Sequence, residues 1–284
     1  MTIDYKLPPF DRLASVQRLP AARSGHGSGL HSRHQLYVGR DKHTRVNMLV
    51  KVTSKPGVVY EQNLANEISA LSTINRDLPD SRYFPVLGDQ GRLRDGRIYL
   101  TMSLFDEWPL ATTIGVERRP DRLVAHLRTA IEIAKALAEL HGLQIWHVDL
   151  NPMNVLSRWE GGNPVIRLVD FESSYEVARY STGRFYNPPT TSGFSAPELS
   201  RQAPDARSDL FSLGAVLYSM LAGLEWTWAE LDRSVAADSE VGPEVKEILL
   251  KAVAADPNVR FQSASEMGAT LSAYLEGIWP GRSW

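Results

Sequence analysis

The chain of 284 residues contains no cysteine, which excludes disulfide bonds, thiolate catalysis and cysteine-bound zinc and is consistent with a reducing compartment. No apolar run reaches the ~18 to 20 residues needed to cross a bilayer, and the longest, at 209–223, predicts a buried helix. The formal net charge is −2, so nucleic acid is not the expected partner. We expect no signal peptide and a cytoplasmic location, with export as an effector left open.

Strand-like runs dominate residues from about 33 to 105, where "HQLYVGR", "RVNMLVKV" and "RIYLTMSLF" are rich in β-branched and aromatic residues. Between these runs, residues 60–74 repeat Leu64, Ile68 and Leu71 at the spacing of one helix face. Beyond residue 120 the pattern is mostly helical, as in "DRLVAHLRTAIEIAKALAELHG". This division predicts an α+β fold with a small β-rich lobe and a larger helical lobe.

Helix ends can also be predicted in the helical part. Gly142 stands where a helix C-cap glycine is expected, and Ser263 with Glu266 forms a capping-box pattern for a last helix through about Leu275. We place an extension at 1–24, the domain at 25–276 with lobes of about 25–103 and 106–276, and a tail at 277–284. The join lies near "LFDEWPL", and a cleft between lobes is a natural ligand site.

The stretch "HVDLNPMNVL", residues 147–156, contains the first candidate catalytic and metal-binding residues. Pro152 favours an ordered turn over a continued helix, and such a turn can direct Asp149 and Asn154 into one pocket. The apolar run "PVIRLV" that follows predicts a strand that returns Asp170 beside Asn154. Asn154 and Asp170 would then offer the oxygen ligands that Mg²⁺ prefers, and Asp149 would accept a proton from a substrate hydroxyl.

Lys51 is the second candidate, because it lies inside the apolar run "NMLVKV". A buried lysine needs a partner or a bound anion. Glu67, on the predicted helix 16 residues later, is the candidate partner.

Six motifs in order make the chain resemble the protein kinases over about residues 25–275. They are Gly27-x-Gly29-x-x-Ser32, Lys51, Glu67, "HVDLNPMN", "DFE" and "APE". The resemblance implies that Lys51, held by Glu67, contacts the α- and β-phosphates of ATP. It further implies that Asp149 deprotonates the acceptor hydroxyl and that Asn154 and Asp170 hold Mg²⁺ or Mn²⁺.

The same resemblance implies a nucleotide pocket and a supporting framework. Met102 would guard the back of the adenine pocket. The other implied pocket residues are the glycine-loop residues Gly27, Gly29 and Ser32, the hinge residues Ser103, Leu104 and Phe105, and the apolar residues Leu49 and Leu156. The implied framework consists of a stack of Leu71, His147 and Phe171, an ion pair between Glu198 and Arg260, and Asp209 as an anchor beneath the catalytic loop.

The chain departs from the family in the catalytic loop. Val148 replaces the arginine of H-R-D, which implies that activation does not need a phosphate on the activation loop. Asn151 replaces a lysine that supports the transferred phosphate, and losing one such donor typically costs roughly 10²–10³ in rate. Arg184 is a candidate replacement cation.

Two further departures from the family lie in the "DFE" segment and in the glycine loop. Glu172 replaces the glycine of D-F-G, which restricts the backbone and adds a carboxylate. The glycine loop is loose, since Ser32 takes the place of a glycine and His34 that of a valine. Together with Leu49, these changes would narrow the adenine pocket.

These observations predict a Ser/Thr protein kinase of bacterial type that lacks the H-R-D arginine, uses ATP, acts on protein hydroxyls and phosphorylates itself. "LNPMN" is closer to the Ser/Thr form than to the tyrosine form, and Thr191 matches a threonine near the acceptor site. Two alternatives remain: a pseudokinase that binds nucleotide or a partner, and a phosphotransferase for an aminoglycoside or choline. The "APE" and "RSDLFSLG" segments favour a protein acceptor.

Overall fold

The computed structural model describes residues 3–20, 34–114, 122–180, 193–223 and 231–279. The chain divides into two units, Met1–Asp106 and Glu107–Trp284, which are described separately. The first is built on a sheet and the second mostly on helices, so the predicted α+β composition is confirmed. Within the described residues, no helix combines the length and the apolar character needed to cross a bilayer.

The first unit contains a five-stranded antiparallel sheet in the order β1-β2-β3-β5-β4 and one long helix, α1. Its elements are β1 (Leu13–Arg18), β2 (His34–Asp41), β3 (Asn47–Thr53), α1 (Val58–Asp77), β4 (Leu87–Arg92) and β5 (Ile98–Ser103). The helix predicted over 60–74 is present and longer. Its buried positions Leu64, Glu67, Leu71 and Ile74 follow helical spacing, whereas Ile68 is only half-buried.

The central strand β3 is buried on both of its faces, and side chains alternate between those faces. Val50 and Val52 belong to an apolar cluster that also contains Phe10 and Leu13. Lys51 lies between the two valines in sequence and therefore faces the opposite side of the sheet. This alternation directs the lysine toward α1.

Strand β1 lies in the segment that we expected to precede the domain, and it forms one edge of the sheet. A Cβ atom at Gly39 would come within 3.1 Å of the Leu13 Cβ atom, so a side chain at that position would require β1 to shift slightly away from β2. Phe10 is 1% exposed in the same core. The predicted domain start at residue 25 stays a prediction, but the sheet of this unit includes residues before it.

The second unit is organised around α3, which packs against α5 and α8 and against strand β9. Its helices are α2 (Leu110–Thr113), α3 (Leu123–Gly142), α4 (Val177–Tyr180), α5 (Ala206–Ala222), α6 (Leu231–Ala237), α7 (Pro243–Ala252) and α8 (Ala264–Ile278). Its strands are β6 (Trp108–Pro109), β7 (Ile145–Trp146), β8 (Val155–Glu160), β9 (Asn163–Leu168) and β10 (Tyr175–Glu176). Every residue of α5 from Ser208 to Met220 is buried, which confirms the buried helix predicted there.

One predicted helix end is confirmed and another is wrong. The backbone N–H of Glu266 donates to Ser263 Oγ at 3.1 Å, so the predicted capping box begins α8. Gly142 is not the left-handed cap of α3, because it is the last helical residue and Leu143 caps the helix. The left-handed conformation falls on Gln144, with φ 57°, immediately before β7. The helix continues through Gly142 because the chain turns toward β7 only after it, at Leu143 and Gln144.

Candidate active site

In the first unit, the predicted pair of Lys51 and Glu67 is present. Lys51 Nζ lies 2.7 Å from Glu67 Oε2, with the two side chains 9% and 1% exposed. Strand β3 supplies the lysine and α1 supplies the glutamate. A buried ammonium paired in this way is held in one position and retains donor capacity for a second anionic group.

The hinge predicted at residues 103–105 lies at the end of β5 and just beyond it in the same unit, and its role stays a prediction. Met102 is 3% exposed and stands opposite Leu49 of β3 and Leu87 of β4 in the sheet register. The backbone N–H groups of Ser103 and Leu104 donate to the carbonyls of Val86 and Asn47, respectively, both at 2.9 Å. These two N–H groups are therefore already bonded within the unit.

In the second unit, hydrogen bonds to Asp209 of α5 fix the start of the loop 147–154, which lies between β7 and β8. Asp209 Oδ2 accepts the backbone N–H of His147 at 2.8 Å, and Oδ1 accepts that of Val148 at 2.7 Å. His141 Nε2 of α3 also lies 2.8 Å from Oδ2. Asp209 is fully buried, so these donors supply the partners that a buried carboxylate requires.

Val148 has a φ of 67°, in the left-handed region that a β-branched residue rarely adopts. Such a conformation persists only where its surroundings impose it. The hydrogen bond to Asp209 and the burial of the valine side chain at 1% exposure are the visible restraints. The loop backbone is therefore held in a specific strained shape just before Asp149.

Strand β8 pairs with β9, which brings the predicted metal-binding positions together along the backbone. The N–H of Val169 donates to the carbonyl of Asn154 at 3.0 Å, and Asp170 follows directly. Asp170 has φ 68° and ψ 72° and precedes a turn that contains Phe171 and Glu172. Because Glu172 lies in a right-handed 3₁₀ turn, this position does not need the family's glycine.

The loop 147–154 also contacts the segment that follows β9. The ring of His147 packs against that of Phe171, with centroids 5.0 Å apart, and His147 Nε2 lies 3.1 Å from the carbonyl oxygen of Val169. Both rings are fully buried. The third predicted member of the stack, Leu71, is buried in α1 of the other unit.

Two asparagine amides surround Asp149. Asn154 Nδ2 donates to the Asp149 carbonyl at 2.9 Å and to Oδ2 at 3.2 Å. Asn151 Nδ2 donates to the same carbonyl at 2.9 Å and lies 3.3 Å from Oδ1. Asn151 thus directs the donor end of its amide at Asp149.

The predicted ion pair between Glu198 and Arg260 is also present. Arg260 Nη1 and Nη2 bind the two carboxylate oxygens of Glu198 at 2.8 and 2.7 Å, and Ser208 Oγ donates to Glu198 Oε1 at 2.8 Å. Arg260 is 1% exposed. This bidentate ion pair joins the turn 197–200 to the segment before α8 and so stabilises the contact between these two parts of the second unit.

Several predicted residues lie outside the described part of the chain. These are Gly27, Gly29 and Ser32 of the glycine loop, Arg184 and Thr191. The hydroxyl residues Ser181, Thr182, Thr190 and Ser192, candidate sites for the autophosphorylation expected from the sequence, also lie outside it. Leu156, by contrast, is described: it is half-buried in β8 and pairs with Pro109.

The donors in the second unit fit a hard divalent cation. Asn154 commits its Nδ2 atom to Asp149, which turns its Oδ1 atom away from that residue. Asp170, a carboxylate, lies next to the residue that pairs with Asn154. An amide oxygen and a carboxylate are ligands that Mg²⁺ prefers, together with phosphate oxygens and water.

Sequence patterns indicated most of these residues but missed the contact of His141 and the direction of the Asn151 side chain. His141 occupies the last turn of α3, where a histidine would usually be interpreted as a favourable charge near the helix end. No pattern in the sequence links it to Asp209, 68 residues later.

Relatives of this chain are protein kinases. Ribosomal protein S6 kinase alpha-2 of Homo sapiens is 44% identical over 93 residues, which make up 32% of this chain and 13% of that protein. Serine/threonine-protein kinase PknB of Mycolicibacterium smegmatis is 32% identical over 175 residues, or 54% of this chain and 27% of that protein. A probable serine/threonine-protein kinase of Streptomyces coelicolor is 28% identical over 197 residues, or 63% and 28%. The chain therefore spans less than a third of the length of these relatives.

A solved structure has the same fold. The crystal structure of the Mycobacterium tuberculosis PknI kinase domain aligns with a TM-score of 0.56 at 18% identity, covering 86% of this chain and 92% of that one. At this identity the likeness establishes the fold alone, and it confirms the predicted kinase fold. The protein kinase domain family itself matches residues 27–270. The chain is therefore a member of the protein kinase domain family.

Proposed function

We propose that this chain is a Ser/Thr protein kinase that transfers the γ-phosphate of ATP to hydroxyl groups of proteins. The observation that carries the proposal is the catalytic loop, in which Asp149 is held by amides while the backbone beneath it is fixed by Asp209. The Ser/Thr kinases among the relatives support the choice of acceptor. The "APE" segment and the buried helix α5 support a protein acceptor over a small molecule.

In this reaction, a carboxylate oxygen of Asp149 accepts the proton of the acceptor hydroxyl. The hydroxyl oxygen forms a bond to the γ-phosphorus as the bond to the β,γ-bridging oxygen breaks, and ADP leaves with that electron pair. Little covalent chemistry is required of the protein, so catalysis depends on positioning and on neutralising charge.

Lys51 supplies a positive charge for the α- and β-phosphates, and Glu67 keeps the ammonium in place. Asn154 and Asp170 would hold Mg²⁺ or Mn²⁺, whose chemical contribution is to neutralise phosphate charge. Met102 and the hinge residues would accept the adenine. Each assignment is supported by the chemistry of the side chain or backbone group and by the role that kinases give to the matching position.

We further propose that the enzyme does not depend on a phosphorylated activation loop. Valine at position 148 cannot pair with a phosphate, and its backbone is already held by Asp209. Autophosphorylation on the hydroxyl residues between 181 and 195 would then mark the protein or recruit a partner without switching on catalysis.

The proposal is tested by incubating the purified chain with ATP labelled in the γ-phosphate, Mg²⁺ or Mn²⁺, and a panel of protein substrates. We expect label on serine or threonine of the chain or of a substrate, and no label with Asp149→Ala. Circular dichroism of the variant checks that its fold is retained. Equal labelling by both proteins, or none with any substrate, contradicts the proposal.

A nucleotide-binding pseudokinase is the second candidate, and the direction of the Asn151 amide favours it, because this amide does not serve a phosphate. A protein of that kind would gain thermal stability with ATP and Mg²⁺, since ligand binding to the folded state stabilises it, yet would transfer no label. Transfer to an aminoglycoside or to choline in place of protein would instead identify a small-molecule phosphotransferase.

A further inference from the structure

The side chain of Asn151 is 6% exposed and uses both ends of its amide within the catalytic loop. Its Oδ1 atom accepts the backbone N–H of Met153 at 2.9 Å. Because a backbone N–H can only donate, this contact requires an oxygen at that end of the amide and fixes the amide orientation. The Nδ2 atom must therefore face Asp149.

Asn151 and Asn154 contact Asp149 in matching ways. Each amide donates to the Asp149 carbonyl at 2.9 Å, and each approaches a different carboxylate oxygen, Asn151 at Oδ1 and Asn154 at Oδ2. The backbone N–H of Asn154 also donates to the carbonyl of Asn151 at 3.0 Å, which joins the two asparagines. Rotation of the Asp149 carboxylate would break the contacts of Oδ1 and Oδ2 to the two amides, while both amides would stay bonded to the Asp149 carbonyl.

We propose that Asn151 is a positioning residue that, with Asn154, fixes the orientation of the Asp149 carboxylate for proton transfer from the acceptor hydroxyl. The role rests on the proposed kinase function. A carboxylate oxygen has two lone pairs, so one amide contact orients the oxygen and leaves it capable of accepting a proton. At this position the chain has a donor to the base in place of the family's donor to the phosphate.

A positioning role predicts a specific kinetic signature. Loss of orientation acts on the chemical step, and misplacement of a reacting group by about 1 Å can cost on the order of 10²-fold in rate. Nucleotide binding does not involve the Asp149 carboxylate in this account. Substitution of Asn151 should therefore lower kcat and leave KM for ATP nearly unchanged.

Asn151→Asp is the most informative variant because it keeps the shape of the side chain. Aspartate forms the same turn with the Met153 N–H as asparagine does, but it presents an oxygen to Asp149 where the amide donor had been. Asn151→Ser retains an acceptor for that N–H without placing a second carboxylate in the loop. We expect kcat to fall by about 10- to 100-fold in both variants.

Asn75→Asp is the matched control in the first unit. Asn75 also uses both ends of its amide, donating to the carbonyl of Pro85 at 2.9 Å and accepting the N–H of Leu87 at 2.6 Å. The substitution removes a comparable hydrogen bond far along the chain from the catalytic loop. We expect it to lower the thermal unfolding midpoint and leave kcat within about two-fold of the wild-type value.

Steady-state kinetics with each variant, below its unfolding midpoint, separate the outcomes. A fall in kcat for both Asn151 variants at constant KM for ATP supports the proposal. Unchanged kcat, a rise in KM alone, or loss of folding in both variants overturns it while the wild-type enzyme remains active. Absence of transfer by the wild-type chain overturns the kinase function and, with it, the role of Asn151.

Discussion

Asp209 Oδ1 accepts the backbone N–H of Val148 at 2.7 Å and so holds a β-branched residue at φ 67°. Holding a residue in such a conformation costs on the order of 1–3 kcal/mol. The fully buried carboxylate of Asp209 offsets this cost, because it accepts hydrogen bonds from the N–H groups of both Val148 and His147. Because Asp209 belongs to α5, this helix helps to determine the backbone conformation of the catalytic loop.

Asp209→Asn should therefore impair both folding and catalysis. An amide has one acceptor atom, so one of the two backbone N–H groups loses its partner, at a cost of about 1–3 kcal/mol in the free energy of unfolding. Urea denaturation measures that loss, and we expect a parallel fall in kcat. Asp238→Asn is the control, because Asp238 is another buried aspartate of the same unit that binds the Tyr218 hydroxyl. Equal kcat in the two variants would contradict the assigned anchoring role.

The buried pair of Lys51 and Glu67 predicts a non-additive effect on stability. Lys51→Met removes the ammonium group that pairs with the buried glutamate and should lower the free energy of unfolding by about 3–5 kcal/mol. The double variant with Glu67→Leu should recover most of that stability and remain catalytically inactive.

The matched control for this pair is Arg76→Met, because Arg76 pairs with Asp77 at an exposed position. Exposed ion pairs contribute little to stability, so this variant should unfold almost as the wild type does. Similar losses for Lys51→Met and Arg76→Met would show that burial of the first pair has no energetic consequence.

The segment before β2 is predicted to be part of the folded unit. Phe10 is 1% exposed beside Tyr37, with ring centroids 5.1 Å apart. Phe10→Ala should lower the free energy of unfolding by about 3–5 kcal/mol. Tyr5→Ala, at a position that is 50% exposed, is the control and should cost much less. A small effect of Phe10→Ala would instead favour a loosely attached extension.

The capping box of α8 predicts a pH dependence of stability. The hydrogen bond from Lys251, together with the N–H of Gln262, holds the pKa of Glu266 below its ordinary value of 4.5. The ionised group therefore stabilises the folded state above pH 4.5, and this contribution is lost as the pH falls through the lowered pKa.

Glu266→Gln should accordingly be less stable than the wild type at neutral pH, and the difference should shrink in acid. Denaturation of both proteins at neutral pH and well below pH 4.5 measures this change. A difference that grows as the pH falls would reverse the sign of the proposed linkage.

The sequence predicts those parts of the site that follow from periodicity and from family order. The position of Lys51 in an apolar run and of Glu67 on the predicted helix was enough to propose the pair, and the strand predicted after Asn154 was enough to return Asp170 beside it. The left-handed backbone at Val148 could not be predicted, because valine is among the residues least suited to it. The direction of the Asn151 amide depends on the N–H of Met153, a local tertiary detail that sequence spacing does not encode.

Phosphoryl transfer is the central claim, and paired labels test it most directly. Parallel incubations use ATP labelled in the γ-phosphate and ATP labelled in the α-phosphate, each with the wild-type chain and with Asp149→Ala. We predict γ-label alone on serine or threonine with the wild type, and neither label with the variant. Transfer of the α-label, or γ-label that persists in Asp149→Ala, would contradict the account.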